Sequence, residues 1–253
     1  IFIILFIFIF IKKKNKIIDN FIDNNFKNIP IIINNFNQLF YMKDMVDFLL
    51  KSGYKNIIIL DNQSTYPKLL DYYKKNDNKK FKVIYLQKNY GHTALWDSGY
   101  IDKFKNNYFV YTDPDLDISK LPHDFVKDFI DIHKKYGNIK IKIGCSLRID
   151  NLPNHFKNKN EVIKWEKQFW RNPIQSYTKN NKKVVIYKAD VDSTLALYPK
   201  NYTNYTYNGL RVSGQYNIEH KPWYFSENIP DDFKYYIKLK KKNIGHWSSK
   251  INN

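Results

Sequence analysis

Asp113, Asp115 and Asp117 stand at alternate positions directly after the apolar run Tyr108-Phe109-Val110-Tyr111. In extended chain, alternate residues point to the same side, so the three carboxylates can converge. Pro114 removes a backbone donor and fixes φ, which suits a strand end and excludes a helix interior. Carboxylates this close repel unless a positive charge sits between them. Hard oxygen ligands suit Mg²⁺ or Mn²⁺, which take one or two carboxylates together with substrate phosphates. The pattern reads as a metal–diphosphate site at the carboxyl end of a buried strand. A solvated acidic turn is the bland alternative, and the surrounding elements must decide.

Those elements alternate between strand and helix. Ile29 to Ile33 is a short apolar strand breaking into Asn34-Asn35-Phe36-Asn37. Leu39, Met42, Val46, Leu49 and Leu50 recur at helical spacing, and Gly53 suits the helix C-terminus. Ile57 to Leu60 is a second strand, Pro67 to Tyr73 a helix with proline near its start, Phe81 to Leu86 a third strand and Tyr108 to Tyr111 a fourth. This predicts an α/β fold with a mostly parallel central sheet flanked by helices. Ligands of such sheets bind beyond the carboxyl ends of the strands. The polar clusters Asn34–Asn37, Asp61–Ser64, Lys88–His92 and Asp113–Asp117 all fall there.

The pattern changes after residue 140. A strand is expected over 140–147, an extended turn over 148–153, and an amphipathic helix over 161–171 carrying Trp165, Phe169 and Trp170. A strand over 184–187 leads into Ala189-Asp190-Val191-Asp192-Ser193-Thr194, with further strand at 195–198 and a helix at 231–239. The lone Cys145 excludes an intramolecular disulfide and a four-cysteine zinc site, and reads as a small core residue.

The 253 residues carry a net charge of +18. Arginine occurs only at Arg148, Arg171 and Arg211, so the excess is dispersed lysine. Phosphate-clamping and base-reading surfaces favour arginine, which argues against a nucleic-acid partner. Residues 1–11 are wholly apolar and are followed by Lys12, Lys13 and Lys14. Eleven residues make ~16 Å of helix against a hydrocarbon core of ~30 Å. A membrane-anchor remnant, a signal-peptide core and a β-rich tail compete as readings, and the first is preferred. The lysines would keep the main domain cytoplasmic, or membrane-associated on the cytoplasmic side. The expected organisation is an N-terminal segment and linker (1–28) and one catalytic domain (29–253), with halves at 29–118 and 119–253.

The stretches IPIIINNFN, IIILDNQST, QKNYGHTALWDSG, YFVYTDPDLDI, ADVDSTLALY and HKPWY, in this order and spacing, resemble a GT-A-fold nucleotide-sugar glycosyltransferase of the kind grouped in glycosyltransferase family 2. The resemblance runs from Ile29 to about Trp247. It implies a Rossmann-like nucleotide-binding half and an acceptor half with α+β elaboration. It also implies hexosyl transfer from a nucleoside-diphosphate sugar, a UDP-sugar above all, to a hydroxyl acceptor such as a glycan, with inversion and with Mn²⁺ or Mg²⁺. Carried over by position, Asn35 and Asn37 would lie by the nucleotide, Asp61 would contact its base or ribose, and Gly91 and Asp97 would shape the donor pocket, with Asp97 near the ribose or sugar. Asp113 and Asp115 would hold the metal against the diphosphate, with His220 as a further ligand. Asp117 would stand behind the metal ligands or cap the next helix. The reaction needs a base for the acceptor hydroxyl. Asp190 and Asp192 are the candidates, because the family's Glu-Asp pair is replaced here by Asp190-Val191-Asp192, and Asp192 is preferred. Trp223 and Tyr224 would stack on sugars or pack in the core.

Two other classes compete. A sugar nucleotidyltransferase of related fold expects a glycine-rich first turn, and Asn34–Asn37 has no glycine. A basic binding module without catalysis expects clustered arginine or surface aromatics, whereas the lysines here are scattered.

Overall fold

The computed structural model describes residues 25–239. The apolar run at 1–11, the linker up to residue 24 and the Gly245-His246-Trp247 stretch lie outside them. Ten strands form one mixed sheet. The first four, β1 (Ile31–Asn35), β2 (Ile57–Asp61), β3 (Lys82–Tyr85) and β4 (Phe109–Thr112), are mutually parallel in the order β3-β2-β1-β4. Beyond β4 the sheet continues through β9 (Ala196–Tyr198), β6 (Lys142–Leu147), β10 (Gly209–His220), β8 (Lys182–Lys188) and β7 (Pro173–Lys179). Here most pairs are antiparallel, and β6–β10 is the parallel one. Because β9 pairs with β4 on one side and β6 on the other, both halves of the chain share this sheet. A two-residue strand, β5 (Leu116–Asp117), stands off the main path and pairs with the end of β10.

Continuous apolar runs form the parallel strands because both of their faces are covered. Ile31 and Ile33 face a core containing Met42, Met45, Val46 and Leu49 of helix α1 (Phe40–Lys51) and Leu69 and Tyr73 of α2 (Pro67–Asn76). Ile32, Ile58 and Leu60 face the opposite layer, with Ala94 and Leu95 of the short α3 (Ala94–Asp97) and Ile101 and Phe104. Gly53 closes α1 in the left-handed region, φ 83°, where glycine carries no Cβ penalty. At the other end, Asp232 of the C-terminal helix α6 (Asp231–Leu239) accepts from the free amides of Leu39 and Phe40 at 2.6 and 2.7 Å. Here the first-turn donors of a helix are satisfied by a side chain from the far end of the chain.

The second half departs from expectation in four places. Helix α4 (Phe125–Tyr136) was not anticipated, although Phe125, Val126, Phe129 and Ile130 form a buried stripe. The helix expected over 161–171 stops as α5 (Lys159–Glu166), and a 3-10 turn at Lys167–Trp170 replaces its last turns. Strand β7 pairs with β8 as a hairpin through Asn180 and Asn181, both at positive φ (51° and 59°), which is the conformation that matches strand twist in a two-residue loop. Strand β10 is twelve residues long and also escaped prediction. Its register on β6 jumps between Val212 and Asn217, and Gly214 (φ 76°) sits in the break, where a Cβ would run into the Lys183 carbonyl. The bulge hides the two-residue alternation that marks a strand.

Candidate active site

On the donor side, the ends of β1 and β2 are joined in register, Asn35 opposite Asp61. Asn35 Nδ2 donates to the Gln38 carbonyl (2.8 Å) and to Tyr73 Oη (2.7 Å), and Tyr73 Oη donates to Asp61 Oδ1 (3.1 Å). The other Asp61 oxygen accepts from the Ser64 amide at 2.9 Å. Asp61 is only 1% exposed, and burial raises its pKa against the lowering effect of these bonds. Asn37, at φ 58°, turns the chain and accepts from the amides of Thr65 and Tyr66 just ahead of α2 (2.6 and 2.9 Å). Asn34, Asn62 and Gly91 form a second knot: Asn62 Nδ2 donates to Asn34 Oδ1 at 2.5 Å, and Asn34 Nδ2 donates to the Gly91 carbonyl at 3.1 Å. Gly91 adopts φ 79° there. Two buried polar atoms of the β1 turn, Asn35 Oδ1 and Asn37 Nδ2, lack a partner among the described residues. Asp97 differs from this group: it is exposed, and its carboxylate accepts from Thr93 Oγ1 at 2.6 Å.

The acidic cluster follows β4. Ser193 Oγ donates to Asp113 Oδ2 at 2.6 Å, and Gln38 bonds the Asp115 carboxylate. Burial raises the pKa of both aspartates, and the charge of Asp115 raises that of Asp113 further. The pairing of β5 with β10 sets His220 opposite Leu116, leaving its Nε2 3.6 Å from Asp115 Oδ2. Burial pushes the His220 pKa down to about 4, so the imidazole is neutral at physiological pH, the form that ligates metals. Its Nδ1 is buried without a partner among the described residues. Two acids and a neutral imidazole are a fitting donor set for a hard divalent cation. Among the described residues, no three such side chains are already arranged as a metal cage. Asp117 caps its own turn, accepting from the Ser119 amide and hydroxyl at 2.9 and 2.6 Å, and does not cap α4.

Asp190 and Asp192 are exposed in the irregular segment between β8 and β9. Tyr205 Oη donates to Asp192 Oδ1 at 2.6 Å, and Lys142 Nζ donates to the Asp192 carbonyl at 3.2 Å. The carbonyl of Asp190 accepts from Arg211 Nε at 2.6 Å, and Arg211 also pairs with buried Glu166 at 2.6 Å beneath the Phe169 ring. Trp223 packs in the core against His220, Trp170 is partly buried against Tyr187, and Trp165 is 52% exposed. A shallow hollow of 280 Å³ between α4 and β7 contains none of the site carboxylates.

Lys142, Tyr205 and Glu166 had gone unremarked in the sequence. Lys142 sits in the alternation Lys140-Ile141-Lys142-Ile143, which reads as a solvated face, yet it is wholly buried. Tyr205 belongs to a tyrosine- and asparagine-rich segment with no periodicity to single it out.

The chain is therefore an α/β protein with a mixed sheet, mostly parallel at its core and flanked by helices. Its polar residues gather at the carboxyl ends of the parallel strands, where the order reverses between β1 and β4. No protein-family model matches the chain, and no curated protein does. Among solved structures it is similar to S. aureus TarS 1-349, at 12% identity and TM-score 0.45, covering 84% of this chain and 64% of that one. It is also similar to GalNAc-T7 crystallised with UDP, GalNAc and Mn²⁺, at 14% identity and TM-score 0.44, covering 76% and 43%. A third similarity, to TarS 1-349 in complex with UDP-GlcNAc, has 16% identity and TM-score 0.36 over 51% and 38%. The chain spans less than two thirds of the length of each. Overlaps of this extent carry no argument for activity, and the functional reading rests on the residues themselves. Among the described residues no helix is long and apolar enough to cross a membrane.

Proposed function

We propose that this chain is a metal-dependent glycosyltransferase that moves a hexosyl group from a nucleoside-diphosphate sugar, a UDP-sugar above all, to a hydroxyl acceptor such as a glycan, with inversion. The observation that carries the reading is the approach of neutral His220 to Asp115, 3.6 Å apart, directly after β4 and two residues from Asp113, beside the switch point of the parallel strands. Asp113, Asp115 and His220 would hold Mn²⁺ or Mg²⁺. When bound, the cation would neutralise charge developing on the departing diphosphate.

The unpartnered atoms of Asn35 and Asn37 are the groups on the β1 turn that would hydrogen-bond the nucleotide. Asp61, saturated by Tyr73 and Ser64, would shape that turn from beneath, while Gly91 brings backbone close to the donor and exposed Asp97 faces its ribose or sugar. Asp192 would take the proton of the acceptor hydroxyl as that oxygen attacks the anomeric carbon and the bond to the diphosphate breaks. Asp190 is the second candidate for that role. The segment 1–11 would hold the domain against the cytoplasmic face of a membrane.

The test is hydrolysis and transfer with a panel of nucleotide sugars, with Mn²⁺ or with chelator, comparing the intact protein with Asp115→Ala. Metal-dependent release of nucleoside diphosphate from one donor, lost in the variant, is the expected result. Absence of turnover and of metal-dependent binding for every donor would overturn the reading.

A further inference from the structure

Asp192 has no regular element to orient it, because the chain between β8 and β9 is irregular and its side chain is exposed. Its carboxylate is nevertheless held. The Tyr205 hydroxyl donates to Oδ1 at 2.6 Å, a short charge-assisted bond, and Oδ2 has no hydrogen-bond partner among the described residues. Tyr205 is itself fixed on three sides. Its ring meets Trp96 edge-on at 4.9 Å and His92 at 5.8 Å, both from the donor half. From below, Lys142 Nζ lies 4.6 Å from its ring centroid, an arrangement of cation–π type. The same ammonium nitrogen reaches Tyr198 Oη and the Asp192 carbonyl, each at 3.2 Å. Burial pushes the Lys142 pKa down to about 7, and either protonation state keeps an N–H for the Asp192 carbonyl.

We propose that Tyr205 is a positioning residue for the reaction: its hydroxyl holds Asp192 Oδ1 so that Oδ2 alone faces the acceptor hydroxyl. This rests on the reading of Asp192 as the base. Through Trp96 and His92, Tyr205 also ties that base to the wall of the donor pocket. A carboxylate free to sample its rotamers would meet the acceptor proton in only part of its population. A loss of about 10–100-fold is what misplacement of a reacting group by an ångström costs.

Tyr205→Phe isolates the hydroxyl, since the ring and its contacts with Trp96, His92 and Lys142 remain. Transfer kcat should fall ~10–100-fold, with the donor KM unchanged. The melting temperature should move by no more than the few degrees one hydrogen bond is worth. In an Asp192→Asn background, Tyr205→Phe should change nothing further, because the group it positions has gone. Full transfer by Tyr205→Phe beside a dead Asp192→Asn would overturn the positioning role and leave the transferase reading intact. Full transfer by Asp192→Asn would overturn the base assignment and Tyr205's role with it. A wild-type protein that neither binds nor turns over any donor would overturn all three.

Discussion

The two polar turns that flank the acidic cluster are built in opposite ways. At the ends of β1 and β2, Asn34, Asn35, Asn37, Asp61 and Asn62 are all buried and bonded to Tyr73, to each other and to the backbone of the neighbouring turns. Parallel register holds their backbones, and hydrogen bonds hold their side chains, with Asn35 Oδ1 and Asn37 Nδ2 left over among the described residues. At the β8–β9 segment, Asp190 and Asp192 are exposed, and among the described residues the one side-chain bond to Asp192 comes from a tyrosine thirteen residues further on. The first turn is stiff before any ligand arrives. The second can yield to an acceptor, at the expense of depending on a single hydroxyl for its orientation. A stiff turn beside an adaptable one predicts that substitutions in the two regions fail in different ways.

The largest effects belong to the cluster between them. Asp113→Asn and Asp115→Asn should each reduce metal-dependent transfer by at least ~100-fold, since the donor's diphosphate loses its counter-charge. Calorimetry should show the same variants more stable than wild type when metal is absent. The sign follows from the raised pKa of each folded-state carboxyl above its ordinary 3.8. Such a group is protonated in the fold at a pH where it is ionised in the unfolded chain, so metal-free stability falls as pH rises through the folded value. The acidic pair should therefore pull the metal-free melting temperature down from about pH 4 upward, against the opposite pull of His220, whose lowered pKa adds stability as pH rises, and the Asn variants should remove the downward part. Added Mn²⁺ should restore wild-type stability at pH 8 and leave the variants unmoved.

Next in size is Asp192→Asn, which should lower kcat about 10²–10⁴-fold, the range of general-base catalysis, with little change in melting temperature. A loss of fold instead would mean that the acceptor turn is as rigid as the donor turn, and the contrast would collapse. Tyr73→Phe probes the other side. It leaves Asn35 Nδ2 and Asp61 Oδ1 short of a buried partner, which costs about 1–3 kcal/mol. Stability and donor KM should worsen together, because one hydroxyl serves both. Intact stability with an altered KM would show the donor turn to be less interlocked than its bonds suggest. The smallest effect is that of Asp232→Ala, which removes the borrowed cap of α1 and should cost about 1 kcal/mol, or 2–4 °C, without affecting kcat.

The donor half was readable in the sequence because each of its features is local. Apolar runs ending in Asn or Asp mark parallel strands and their carboxyl ends, and the alternate aspartates after β4 need only one another to be noticed. The helix α4 stripe was equally local and was overlooked. The acceptor half was harder to read for a physical reason. Its longest strand, β10, is interrupted by the Gly214 bulge, and the β7–β8 hairpin turns on two asparagines in the left-handed region.

By itself, the sequence determined the alternation of strand and helix, the positions where strands end in polar residues, and the types of side chain able to hold a cation or take a proton. Only the tertiary structure decided which of them meet. His220 reaches Asp115 because β10 crosses the sheet and pairs with β5, 103 residues after that strand was made. Ser193 reaches Asp113 and Tyr205 reaches Asp192 from irregular chain. Periodicity encodes contacts a few residues apart. The long-range ones depend on how the bulge and hairpin of the second half lay their strands against the first.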